Sequence, residues 1–149
     1  MTPDANLRLL RQALDELAAA RRHLDFSSAR ISSLPADLKS ISEAQLESAE
    51  AYTSRFARTV DLLVNKVLRG IDRVELRPGG TLLDVINGAE QRGLIDRAES
   101  LREMKAMRNE VAHDYAGQRL PEVFAFCRER KPLLDAICDR AADYAGRLR

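Results

Sequence analysis

Within eight residues this chain carries Arg108, Asn109, His113 and Tyr115. A histidine changes protonation near neutral pH and can take or return a proton. An arginine presents fixed donors to an anionic oxygen. Together, residues of these types suit proton transfer beside a bound anion. On a helical projection Arg102, Lys105, Asn109 and His113 follow steps of three, four and four, so they form one polar, basic stripe. Leu101, Met104, Val111 and Ala112 line a separate face, and Arg108 and Tyr115 project into the middle of it. A guanidinium among apolar side chains is costly unless it is paired. Arg108 therefore calls for an acid, a partner chain or a bound anion, and Asp61, polar within an earlier helix, is the candidate acid.

Taken singly, each of these residues has an ordinary reading. A lone helical arginine is usually solvated or salt-bridged, a histidine near a helix end caps the last carbonyls, and a tyrosine often fills a core with its hydroxyl satisfied. None of those readings explains why all three meet in one short segment. Other chemistries lack their parts. Glu110 and His113 make half of a di-iron pattern, but His23 has Ala20 three residues before it, so the second half is missing. Pro78-Gly79-Gly80 follows no strand and precedes no Lys-Ser or Lys-Thr, so it is no phosphate loop. Neither a metal nor another cofactor is expected.

The elements that must position the cluster are all helical. Thr2 caps a first helix with Pro3 in its first turn, and Leu7, Leu10, Leu14, Leu17 and Leu24 carry it to about Asp25. Residues 27–42 hold six serines and Pro35 and read as a long surface connection. A capping box, either Ser42 with Gln45 or Ser40 with Glu43, opens a second helix of about thirty residues. Its stripe runs Leu46, Ala49, Phe56, Val60, Leu63, Val67, Ile71 and Val74, with Gly70 as a weak point of about 1 kcal/mol relative to alanine. Thr81 with Asp84 caps a short third helix that ends at Gly93, and Asp96 with Glu99 opens a fourth that runs to about Tyr115 or Ala116. Pro121 starts a last helical segment through Leu148, which Pro132 should kink or split. No segment alternates as a strand does. The fold class is all-α, an up-and-down bundle of four or five helices.

At 149 residues with 45% hydrophobic content, the chain suits one domain with its own core. A net charge of +1 gives no global field of the kind that coats nucleic acid, so any RNA contact must come from a local patch. Arginine outnumbers lysine twenty to four, and aromatics make up only 5%, which argues against a base-stacking platform. Cys127 and Cys138 lie too far apart on one helix for a disulfide and read as small buried hydrophobes. Neither a signal peptide nor a membrane span is legible, and the expected compartment is the cytoplasm.

The segment Met107-Arg108-Asn109-Glu110-Val111-Ala112-His113-Asp114-Tyr115 resembles the Arg-x4-His-x-Tyr signature of the HEPN superfamily, and most closely its HepT-like branch. Arg55-Phe56-Ala57-Arg58-Thr59-Val60-Asp61-Leu62-Leu63, where an acid is usual, resembles the same branch. The resemblance covers roughly residues 45–145 and implies one HEPN-like domain over residues 1–149, with its motif helix at about 96–116. It further implies a metal-independent endoribonuclease that is the toxin of a toxin–antitoxin pair, its partner a minimal nucleotidyltransferase. In that role His113 is the general base or acid, Arg108 holds the scissile phosphate, Asn109 orients them, and Tyr115 accepts AMP from the partner. Asp61, Arg102 and Lys105 support the site. The other reading is a non-catalytic docking subunit that presents substrate to a nucleotidyltransferase.

Five residues put Arg108 and His113 about 140° apart on an ideal helix, too divergent for both to grip one phosphate. Either the helix distorts before Gly117, or two copies meet across a two-fold axis. The dimers of the family favour the second, a homodimer built from the second and fourth helices.

Overall fold

A computed structural model describes residues 2–77, 79–113 and 118–149, and all its regular structure is helical. The first helix, α1, spans Pro3–Arg30, with the Thr2 hydroxyl accepting from the Ala5 N–H at 3.2 Å. It outruns the expected end near Asp25 because Ser27, a turn-former by propensity, is buried and receives a 2.8 Å hydrogen bond from Arg55 Nη1. Tertiary contact outweighs local preference here. The connection that follows is only partly a surface one, since Ile31 and Leu34 are buried in the core.

The second helix, α2, covers residues 43–74. It begins as Glu43–Asp61, passes through a π-helical segment Leu62–Leu68, and ends as Arg69–Val74. The capping box is the Ser42–Gln45 one, closed by hydrogen bonds of 2.8 and 3.1 Å. Gly70 is no mere weak point: a Cβ there would meet Leu10 Cδ1 at 3.0 Å, so the missing side chain lets α1 cross close to α2. The Leu82–Gln91 helix, α3, starts with the Thr81–Asp84 capping box. It stops at Gly93, whose φ of +76° permits the Leu94-to-Ala89 and Gly93-to-Glu90 bonds of a Schellman end.

The fourth helix, α4, is Ala98–His113. Asp96 does not open it as expected. Its carboxylate pairs with Arg140 at 2.9 Å, and Glu90 of α3 instead accepts from the Ala98 N–H at 2.6 Å. The last helix, α5, spans Leu120–Gly146 and continues through Pro132 without being split.

α2 lies at the centre and touches each of the other helices. Buried residues from all five helices form one contiguous core, with Leu10, Leu17, Tyr52, Phe56, Leu63, Ile86, Leu101, Met104 and Phe124 among its largest members. Tyr52 and Phe124 meet edge to face at 5.9 Å, and the Tyr52 hydroxyl donates to the Cys127 carbonyl. Cys127 and Cys138 are free and buried, and burial pushes both thiols up to about 12, so they stay protonated and unreactive. Away from the motif, Arg92 has a nearly buried side chain and pairs with Asp72 at 2.8 Å and Glu75 at 2.7 Å. Glu75 in turn accepts from the Tyr144 hydroxyl at 2.6 Å, which ties the ends of α2, α3 and α5 together. Among the described residues no helix is long and apolar enough to cross a membrane.

Candidate active site

The N-terminal half of α4 is held rigidly. Ala98, Leu101 and Met104 are its buried residues, and they seat the helix against the core. Beyond Met104 the contact thins: Met107 and Val111 still pack on the core but are only half-buried, and Ala112, expected on the apolar face with Val111, is exposed. The neighbouring helices of the same chain cover the first half of this face fully and the second half only in part.

One turn past Met104, two cations converge on one acid. Lys105 Nζ lies 2.5 Å from Asp61 Oδ1, and Arg108 Nε lies 2.7 Å from Asp61 Oδ2. Asp61 is the last residue of α2 before the π-helical segment, so its backbone is fixed at the helix that α4 packs on. Burial alone would raise the Asp61 carboxyl. The hydrogen bonds and charges of Lys105 and Arg108 more than offset that and hold it below the usual carboxylate range.

The pairing is asymmetric. The Arg108 side chain is 36% exposed, that of Asp61 26% and that of Lys105 only 13%. Arg108 binds Asp61 through Nε, and no acceptor among the described residues engages its Nη1 or Nη2. Those two nitrogens are the edge a phosphate oxygen can take. Lys105, placed by periodicity in the basic stripe with Arg102, Asn109 and His113, has folded back to the acid, while those three remain exposed.

His113 ends the described part of α4, which is α-helical throughout, so the helix does not distort between Arg108 and His113. The two side chains keep the divergence of an ideal helix, about 140°. Tyr115 lies outside the described residues. Arg119, which sequence reasoning did not single out, pairs with Glu110 of α4 and, at 3.0 Å, with Glu122 of α5. Its only sequence signal was an arginine set three residues before a glutamate. Among the described residues no group of three or more histidine, cysteine or acidic side chains could hold a metal ion.

A helical bundle with an acid-anchored arginine and a histidine on one solvent-facing helix is HEPN-like in fold. The chain belongs to the HepT-like family, described as ribonuclease HepT-like, which matches residues 10–141. No curated protein and no solved structure matches it.

Proposed function

We propose that this chain is a metal-independent endoribonuclease whose site is formed by Arg108, His113 and Asn109, with Asp61, Lys105 and Arg102 in support. The observation that carries the reading is the Arg108–Asp61 pair, which leaves the outer edge of a fixed guanidinium open on the helix that carries His113. His113 takes the proton from a ribose 2′-OH, the 2′-oxygen attacks phosphorus, and the bond to the 5′-oxygen breaks as that oxygen receives a proton. Arg108 neutralises the charge that gathers on the phosphorane.

The divergence of Arg108 and His113 is resolved by a homodimer across α2 and α4, in which one copy's arginine serves the other copy's histidine. The half-bare face of Met107, Val111 and Ala112 supports it. The same His113, protonated by the 2′-OH, then returns that proton to the leaving oxygen.

The cellular role that fits is a toxin, with a minimal nucleotidyltransferase as antitoxin. That enzyme transfers AMP from ATP to Tyr115: the phenol oxygen bonds to the α-phosphorus, the phenol loses its proton, and pyrophosphate leaves. Tyr115 follows His113 by two residues in sequence, and the anion added to it would repel the substrate phosphate.

In a chelator-containing buffer the purified protein should cleave single-stranded RNA, and His113→Ala and Arg108→Ala should each lower the rate on the order of a hundredfold or more. Incubation with the nucleotidyltransferase and ATP should add one AMP mass to wild type, but not to Tyr115→Phe, and silence cleavage. Cleavage that survived both site substitutions would end the nuclease assignment and favour the docking subunit.

A further inference from the structure

We propose that Lys105 is a positioning residue that keeps Arg108 available to a substrate phosphate by occupying half of Asp61. The inference rests on the nuclease reading only in that the ligand is taken to be an RNA phosphate.

A carboxylate facing a guanidinium favours two parallel hydrogen bonds, and such a fork uses up one whole edge of the arginine. Asp61 does not form it. Its Oδ2 meets Nε of Arg108, while its Oδ1 turns to Lys105 Nζ. Lys105 is the least exposed of the three, so its ammonium is a fixed occupant of Oδ1 and not a passing surface ion.

Two consequences follow from charge and reach. Lys105 and Arg108 stand three residues apart on one helix, where like charges repel unless an anion lies between them. Asp61 supplies that anion, and the three groups together keep one net positive charge. Without Lys105, Oδ1 is released next to Arg108 and can take a second N–H of the guanidinium. The result would be a neutral, closed pair, which an incoming phosphate must break open. Lys105 thus acts through Asp61 and Arg108 without touching the RNA.

The discriminating measurement is a double-mutant cycle on the full-length protein. Its first readout is binding of a 2′-O-methyl single-stranded RNA, which cannot be cleaved, followed by anisotropy. The second is kcat and KM on ordinary RNA. Lys105→Met should weaken binding about tenfold and raise KM more than it lowers kcat, a loss on the scale of one charge-assisted hydrogen bond. Lys105→Arg should retain most of the affinity. In an Asp61→Asn background, which has no carboxylate to release, the same Lys105→Met change should cost no more than about twofold. A lysine that merely attracts RNA through its charge would cost the same in both backgrounds, and that result overturns the proposal. So does Lys105→Met behaving as wild type, or a wild type that fails to bind the RNA. If wild type binds with the expected coupling but cleaves nothing, the nuclease reading falls and the role of Lys105 stands. Thermal unfolding followed by circular dichroism identifies any variant that has failed to fold, and Lys105→Gln then replaces the methionine.

Discussion

Asp61 bears the strongest electrostatic demand near the motif, and its titration gives a measurable signature. Its folded pKa lies below the ordinary value, so on acidification the unfolded chain takes up the proton first. The stabilisation that Asp61 gains from Lys105 and Arg108 is therefore complete above the ordinary carboxylate pKa and is lost as pH falls through the lowered folded value. Urea unfolding should show Asp61→Asn less stable than wild type by about 1 kcal/mol at pH 7, a figure that allows for partial solvent screening. The gap should shrink steadily as pH falls below the ordinary carboxylate range. A gap that stayed constant across that range would show that the side chain contributes through packing alone. The need for a partner opposite Arg108 was legible in the sequence, because a charged group on an apolar stripe requires one, and Asp61 was the candidate if that partner was an acid. The fold of Lys105 onto the same acid was not. Periodicity fixes the direction in which a side chain leaves the helix, whereas four flexible methylenes decide where its charge arrives.

The helices and their caps were legible as local patterns, because Thr2, Ser42 and Thr81 each satisfy N–H groups in their own first turn. What escaped depended on neighbours distant in sequence. The end of α1 moved because Arg55, 28 residues on, reaches back to Ser27. The π-helical segment left no trace in the pattern, since Val60, Leu63, Val64, Val67, Leu68 and Ile71 are buried at spacings of three and one that an α-helix would show equally. Gly70 illustrates the same blindness. By helix propensity alone, alanine there should stabilise by about 1 kcal/mol. The 3.0 Å approach to the fully buried Leu10 works against that gain, since overpacking costs about 1–3 kcal/mol. Gly70→Ala should lower the urea midpoint, with a net loss of about 1 kcal/mol. A rise in the midpoint would show that α1 yields at the crossing.

At the scale of the whole molecule, the all-helical architecture followed from composition and pattern, whereas the number of copies turns on a face of α4 that the described residues of one chain cover only in part. α4 is seated by its first half, and Met107, Val111 and Ala112 are left partly or wholly uncovered beside Arg108. Sedimentation at micromolar concentration should give twice the mass of one chain, and Val111→Glu should halve it and remove cleavage together. An active monomer would place the whole site in one copy. The contact between Arg108 and Asp61 joins residues 47 apart in sequence, and the one from Lys105 spans 44. On the ribosome, then, the acid is made well before either cation. The guanidinium has no anchor until α4 has left the exit tunnel and docked on α2. A nascent chain holding every residue up to Met104 already contains most of its core, yet none of the charge arrangement through which this protein could grip a phosphate.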